Sequence, residues 1–179
     1  MNLAHREILI AVTGGIAAYK TAALVSRLVR SGAQVSVMMT DSATKLVGPK
    51  TFEALTGRAV RLDLWQDTSA IPHIDAAKKA ELLCVAPATA NIIAKAACGI
   101  ADDLVSTTIL AFDGPALFAP AMNSVMWNKP ATQRNIRQLT DDGALLIGPA
   151  SGHLCCGDDG QGRMAEPDAI YAEIERLLA

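Results

Sequence analysis

The sequence predicts an α/β fold in which one parallel sheet carries helices on both of its faces. A strand–helix–strand unit at residues 7–39 is the first observation that favours it. Two later apolar runs, Leu82–Ala86 and Pro115–Ala119, have the length of buried strands and alternate with helical patterns. Composition agrees, because 51% of the 179 residues are hydrophobic, only 4% are aromatic, and alanine is abundant. We therefore predict one three-layer, Rossmann-like domain over 1–179.

Charge and hydropathy exclude several classes of protein. The formal net charge is −2 and there is no basic run, so nucleic acid is not expected as a partner. No apolar run is long enough to span a membrane, and Ile8–Val12 is too short for a signal peptide. The four cysteines form no CxxC pair and no disulfide spacing, which favours a cytoplasmic protein. The apolar excess is also typical of a chain with a buried oligomer interface.

The first strand, Glu7–Val12, runs through a tight turn into an amphipathic helix, Ala17–Arg30, and the second strand is Gln34–Met39. Gly14 and Gly15 therefore lie at a helix N-terminus, where backbone N–H groups and the helix dipole favour a phosphate. The turn lacks the GxGxxG pattern, so a mononucleotide fits better than a dinucleotide. A glycine turn that serves only chain reversal is the alternative.

The next elements follow the same alternation. Hydroxyl side chains after the second strand, Thr40 and Ser42 among them, are suited either to a phosphate or to capping a helix. Helical patterns cover 45–57, 92–97, 104–112, 130–139 and 168–178, and strand patterns cover 59–64 and, as the last strand, 144–147. Cys98 is interpreted as a small buried side chain.

His73 is placed in a loop ahead of the strand Leu82–Ala86, before a short helix that ends at Ala80. It is a candidate general acid or base near neutral pH, with a capping or surface role as the alternative. Thr89 and Asn91 follow the same strand, where ligands bind at the edge of an α/β sheet.

The stretch Pro120–Trp127 follows another buried strand. Asn123 offers one acceptor and two donors and cannot ionise, which suits recognition of a carboxylate or a ring edge. The alternative is that Asn123 caps the short helix after it, while Met122, Met126 and Trp127 belong to the core.

A glycine-rich stretch at 149–167 is the longest irregular segment, and it is interpreted as a mobile substrate lid. His153, Cys155 and Cys156 lie in it, but adjacent cysteines chelate one ion poorly and no fourth ligand is near, so no metal site is predicted. Cys156, followed by Gly157, is better suited to donate a proton or to act as a nucleophile.

Three motifs together resemble one family. PAMNSVMW at 120–127, CGD at 156–158 with GQGRMAEP at 160–167, and HID at 73–75 occur here in the order found in the flavin-containing cysteine decarboxylases. Within that family the resemblance is to the enzymes that act on phosphopantothenoylcysteine in coenzyme A synthesis. It implies a flavodoxin-like sheet, a carboxy-lyase activity and FMN as cofactor.

The resemblance also implies roles for individual residues. His73, Asn123 and Cys156 would be catalytic, and Asn123 and Met126 would hold the substrate carboxylate and shape its pocket. Cys155 stands where the family has alanine, and the register set by Gly157 and Asp158 selects Cys156. The residues that would bind FMN are Gly14, Gly15, Ile16, Thr40, Ser42, Thr89, Ala90, Asn91 and Ala121.

Further implications concern partners and alternatives. Relatives form homo-oligomers, either trimers or dodecamers built from trimers, and many are fused to the phosphopantothenate–cysteine ligase that makes the substrate. The alternatives are a peptidyl-cysteine decarboxylase of the lantibiotic type and a non-catalytic flavin-binding regulatory subunit. The CGD motif argues against the former, and the presence of His73, Asn123 and Cys156 argues against the latter.

Overall fold

A five-stranded parallel sheet in the order β2-β1-β3-β4-β5 forms the centre of the molecule. The structure is a computed structural model that describes residues 3–65, 71–153 and 159–179. The sheet strands are β1 Glu7–Val12, β2 Gln34–Met39, β3 Leu82–Ala88, β4 Ala116–Pro120 and β5 Leu145–Leu146. This order and the helices on both faces confirm the predicted flavodoxin-like α/β class.

The helices occupy the connections between strands. Their bounds are α1 Ala18–Arg30, α2 Asp41–Thr44, α3 Pro49–Thr56, α4 Pro72–Lys79, α5 Ala90–Ala97, α6 Leu104–Ala111, α7 Ser124–Asn128, α8 Pro130–Asp141 and α9 Pro167–Leu177. Each parallel connection returns the chain to the amino edge of the sheet, so every strand of the sheet ends at the same carboxyl edge. Ligands of open α/β sheets bind at that edge.

Side chains alternate along each strand and divide the core into two layers. On one face, Ile8 and Ile10 of β1 pack in the same cluster as Leu24 of α1 and Ile170 of α9. On the other face, Leu9 of β1 clusters with apolar side chains of α4, α5, α6 and α8. Strands that are buried on both faces explain the near-continuous apolar runs in the sequence.

Residues 45–64 differ from the sequence prediction. One helix was expected over 45–57, but α2 ends at Thr44 and α3 begins only at Pro49. Proline disfavours helical backbone in the residue before it, so Gly48 is extended and a new helix begins at Pro49. The strand expected over 59–64 is reduced to an isolated bridge between Arg61 and Met38 at the β2 edge.

The segment expected to be irregular carries two further strands. Ala150–His153 forms β6 and Asp159–Arg163 forms β7, and the two pair in an antiparallel ribbon. The expectation that 144–147 would be the last strand was therefore wrong. The ribbon was not predicted because its strands contain glycines, and glycine weakens a strand pattern. The predicted lid at 149–167 includes 154–158, which lie outside the described residues, and its motion stays a prediction.

The described cysteines differ in environment. Cys84 is fully buried in β3, and burial raises the pKa of its thiol to about 12. Cys98 is exposed after α5, so the expectation that it would be buried was wrong.

Within the described ranges, no helix is long and apolar enough to cross a membrane.

Candidate functional site at the carboxyl edge

A cavity of about 610 Å³ opens at the carboxyl edge of the sheet. Four chain segments line it: three follow strands of the sheet, and the fourth is the end of the ribbon. They are the turn and first helical residues after β1, the start of α5 after β3, the stretch after β4, and the end of β7. The lining residues are Gly14, Gly15, Ile16, Ala17, Tyr19, Lys20, Thr89, Ala90, Asn91, Ala121, Met122, Asn123, Met126, Gly162, Arg163 and Met164.

The turn after β1 approaches its neighbours closely. A Cβ added to Gly14 would lie 2.4 Å from Cβ of Ser42, and one added to Gly15 would lie 3.2 Å from Cγ of Pro87. Glycine is therefore required at position 14, and at position 15 a larger residue would contact Pro87 tightly. The first residue before α1, Ala17, has no side chain that caps the helix. Within the described chain, the amides of Ile16 and Ala17 have no hydrogen-bond acceptor, so they are available to an anionic ligand.

Thr13 ties this turn to the end of β3. Its buried hydroxyl donates to the carbonyl of Pro87 at 2.6 Å and accepts from the backbone amide of Thr89 at 3.2 Å. The hydroxyl of Thr89 then caps α5 by accepting from the amide of Ile92 at 3.3 Å. Two walls of the cavity are thus joined through a single threonine, and the sequence reasoning missed this residue.

Asn123 begins the short helix α7. Its side-chain oxygen accepts from the amide of Val125 at 2.8 Å, which is the capping role that the sequence left open as an alternative. The same residue lines the cavity, so the cap also restrains its side chain there. Met126 is on α7 and lines the cavity while nearly half exposed, whereas Trp127 is buried in the core. The expectation of a core role therefore holds for Trp127 and not for Met126.

Two cations lie in the cavity wall. Nζ of Lys20 and Nη2 of Arg163 donate to the same oxygen of Glu166, at 2.7 and 2.8 Å. The hydrogen bond from Lys20 is the main cause that lowers the pKa of the Glu166 carboxyl below its usual value. The carboxylate is therefore ionised at neutral pH, and the cluster carries a net charge of about +1.

A profile of the flavoprotein family matches residues 1–179 of the chain. The chain belongs to the flavoprotein family. The glycine turn, the uncapped start of α1 and the cavity at the carboxyl edge are consistent with this membership, because a flavin mononucleotide needs a phosphate site and an apolar cleft.

Known relatives of this flavoprotein share most of its length. It is 50% identical over 179 residues to the coenzyme A biosynthesis bifunctional protein CoaBC of Bacillus subtilis strain 168. The aligned region covers 99% of this chain and 44% of the relative. The chain thus spans less than half of that relative's length.

Solved structures share the fold along nearly the whole chain. One is a cysteine-to-serine variant of a PPC decarboxylase in complex with pantothenoylaminoethenethiol, with a TM-score of 0.87, 32% identity, and coverage of 97% of this chain and 98% of that one. Another is the FMN-dependent cysteine decarboxylase SpaF, with a TM-score of 0.84, 35% identity and coverage of 99% of each chain.

Most of the predicted site residues meet in the cavity of this flavoprotein. Those that line it are Gly14, Gly15, Ile16, Thr89, Ala90, Asn91, Ala121, Asn123 and Met126. Thr40 and Ser42 are not among the lining residues. Thr40 caps α2 by accepting from the amide of Ala43, and Ser42 packs against Gly14 at the back of the turn.

His73 does not reach this cavity within one chain. It lies in the first turn of α4, not in the loop that the sequence suggested, because Pro72 begins the helix one residue earlier. Its Nδ1 is buried and has no hydrogen-bond partner among the described residues. The predicted Cys156 lies outside the described residues.

The sequence reasoning missed several lining residues, namely Ala17, Tyr19, Lys20, Met122, Gly162, Arg163 and Met164. Arg163 gave one usable signal, since it lies in the 149–167 segment interpreted as a substrate lid, whereas Lys20 lies in the helix after the glycine turn and gave none. Among the described residues, no group of three or more histidine, cysteine, aspartate or glutamate side chains is arranged to hold a metal ion.

Proposed function

We propose that this flavoprotein catalyses the FMN-dependent decarboxylation of 4'-phosphopantothenoylcysteine to 4'-phosphopantetheine, a step of coenzyme A biosynthesis. The observation that carries the proposal is the cavity, in which the glycine turn after β1 faces Asn123 and Met126 after β4. The 50% identity to a CoaBC protein and the likeness to a PPC decarboxylase structure support the same conclusion.

The residues present fit FMN. The amides of Ile16 and Ala17 at the start of α1, which have no acceptor among the described residues, suit its phosphate. Thr89, Ala90, Asn91 and Ala121 would border the ring. When bound, FMN would supply reversible two-electron redox chemistry at the thiol-bearing carbon of the substrate.

The protein's own task is to orient the substrate. Loss of CO₂ from a cysteine carboxylate leaves an electron pair on Cα that needs an adjacent acceptor, and a thioaldehyde carbon at Cβ provides it. Asn123 would hold the carboxylate by hydrogen bonding without adding charge, so that the carboxylate can leave as neutral CO₂. Met126 would pack against the substrate beside it. The product of this stage is an enethiol.

Cys156 would donate the proton that completes reduction of the enethiol to the saturated thiol. A thiol suits this task because it can lose a proton near neutral pH. Cys156 would supply the proton and the bound cofactor the hydride equivalent that saturation of the carbon–carbon double bond requires. His73 would act on the substrate thiol or carboxylate.

The position of His73 supports a homo-oligomer, either a trimer or a dodecamer built from trimers. Within one chain His73 is not among the residues that line the cavity, and its buried Nδ1 has no hydrogen-bond partner in the described part of the chain. Apolar side chains at the mouth, including Tyr19 at 62% exposure and Val125 at 60%, are suited to contact a second copy. Sedimentation analysis tests this, and a monomer at the working concentration would refute it.

We also propose a cytoplasmic location and a phosphopantothenate–cysteine ligase as functional partner, on the same polypeptide or a separate one. The ligase would supply phosphopantothenoylcysteine, and the CoaBC relative is named as bifunctional. Neither a nucleic acid nor a membrane is expected as partner.

The decisive experiment is incubation of the purified yellow protein with phosphopantothenoylcysteine, followed by measurement of CO₂ and of the product thiol by mass. Stoichiometric CO₂ and 4'-phosphopantetheine are expected. A protein that retains flavin but forms no product would refute the proposal.

Peptidyl-cysteine decarboxylation is a second candidate function, and the likeness to the FMN-dependent cysteine decarboxylase SpaF, at 35% identity, is compatible with it as with the first. A peptide with a C-terminal cysteine distinguishes the two, because that activity would yield a peptide enethiol and leave phosphopantothenoylcysteine unchanged.

A further inference from the structure

Lys20 and Arg163 carry the charge of the cavity wall, and the proposed chemistry does not use them. Both donate to one carboxylate oxygen of Glu166. Among the described residues that line the cavity there is no aspartate or glutamate, so the wall is positive. An anionic group of the bound ligand is therefore favoured beside this pair.

The two cations are held in place. The side chain of Lys20 is only 13% exposed, which removes much of its hydration. Arg163 occupies space that Gly152 of β6 leaves open, because a Cβ there would lie 3.0 Å from Nη1 and 3.3 Å from Cδ of the arginine. Gly152 also has φ +148°, a conformation that a larger residue rarely adopts.

Each cation has donors to spare. Glu166 takes one hydrogen bond from each, and within the described chain no second acceptor is present for either side chain. A lysine ammonium has three N–H donors and an arginine guanidinium has five. The remaining donors can bind a ligand without breaking the contacts to Glu166.

We propose that Lys20 and Arg163 bind the terminal phosphate monoester of the substrate and so select phosphorylated over unphosphorylated pantothenoylcysteine. This inference rests on the proposed function. A phosphate monoester carries a charge of −1.5 to −2 at neutral pH, which the cluster's charge complements. The phosphate of FMN is the other source of the same chemistry, but the amides at the start of α1 already provide a site for it.

The position of Arg163 favours the substrate. Its neighbour Gly162 accepts a hydrogen bond from the amide of Met122 at 3.0 Å, which places Arg163 beside the segment that contains Asn123. The cations would thus bind one end of the substrate while Asn123 holds the carboxylate at the other. Binding at both ends orients the carbon between them.

The test uses the flavin-loaded variants Lys20→Met and Arg163→Met, with kcat/KM measured for phosphopantothenoylcysteine and for pantothenoylcysteine. We expect a loss of about 10- to 100-fold on the phosphorylated substrate and a change within about threefold on the other. Lys50→Met is the matched control, because Lys50 is a cation on α3 whose side chain is 92% exposed and does not line the cavity. It should change neither value.

Equal losses on both substrates, or no loss on either, would overturn the proposal. Loss of bound flavin in the variants, read from visible absorbance, would assign the pair to the cofactor phosphate and would also overturn it.

Equilibrium binding separates this inference from the proposed function. Calorimetric titration with 4'-phosphopantetheine and with pantetheine needs no turnover. If the wild-type protein decarboxylates neither substrate, the proposed function fails. The phosphate site is still supported if the wild type binds phosphopantetheine more tightly than pantetheine and the two variants lose that preference. It is refuted if the variants keep the preference or the wild type shows none.

Discussion

The amide of Met122 donates to the carbonyl of Gly162 at 3.0 Å, and a Cβ added to Gly162 would lie 2.2 Å from the carbonyl oxygen of Met122. The β6–β7 ribbon is therefore attached to the Asn123 segment at a point where only glycine fits. This contact sets the distance between two walls of the cavity.

Gly162→Ala should destabilise the protein by about 2–5 kcal/mol, because its methyl group meets backbone atoms that cannot move independently. It should also lower flavin retention, since the ribbon must shift away from Met122. Chemical denaturation and visible absorbance measure these effects. Gly143→Ala is the control: its φ is also positive, at +93°, but nothing lies within 4 Å. For this control we expect the free energy of unfolding to fall by only about 1–2 kcal/mol, with normal flavin content.

Asn123→Asp separates the capping role from substrate binding. Aspartate caps helices as well as asparagine does, so the stability of α7 should be preserved. The added negative charge would repel the substrate carboxylate, and we expect kcat/KM to fall by at least about 100-fold at neutral pH. Steady-state kinetics and thermal denaturation test this prediction together. Activity near the wild-type value would show that Asn123 serves only as a cap.

Cys156→Ser should uncouple CO₂ release from reduction. A serine hydroxyl is a far weaker acid than a thiol, so the variant would release CO₂ and accumulate the enethiol. Mass spectrometry of single-turnover mixtures detects a product two hydrogens lighter than phosphopantetheine. Cys155→Ser is the matched control and should turn over completely. Full reduction by the Cys156 variant would contradict the role assigned to this residue.

Glu7 should contribute stability that depends on pH. The hydrogen bond from Arg58, at 2.8 Å, is the main cause that lowers the pKa of the Glu7 carboxyl below 4.5 in the folded protein. The contribution is therefore complete above pH 4.5 and is lost as the pH falls through the lowered folded value. Glu7→Gln should cost about 1–2 kcal/mol at pH 7, and this difference should shrink steadily as the solution is acidified below pH 4.

Urea denaturation at several pH values measures the difference. The ion pair of Asp41 and Lys45 gives a control, because the Asp41 side chain is 84% exposed and Asp41→Asn should change the stability little at any of these pH values. A Glu7→Gln effect that is the same at pH 7 and pH 3 would contradict the linkage.

Much of the fold was predictable because the signals for it are local. The helix predicted over 17–30 is observed at Ala18–Arg30, and the helix predicted over 104–112 at Leu104–Ala111. The glycine turn and the Asn123 segment were recognised because residues that follow buried strands share one edge of a parallel sheet. The break at Pro49 could also have been found, since the residue before proline disfavours helix.

Other features could not be read from local pattern. His73 lies on a helix outside the cavity of its own chain. The apolar pattern of the sequence does not show which residues are distant from the cavity. The ribbon at 150–163 lacks an apolar period because its glycines accommodate Arg163 and the Met122 carbonyl, not a hydrophobic core.

The sequence by itself determined the alternating strands and helices, the parallel sheet and the edge where ligand binds, because periodicity, caps and turns act over a few residues. Only the tertiary structure decided that Lys20 and Glu166, 146 residues apart, would meet beside Arg163. The physical reason is that charged side chains on separate elements carry no mutual signal along the chain, and the packing of α1 against α9 brings Lys20 and Glu166 together.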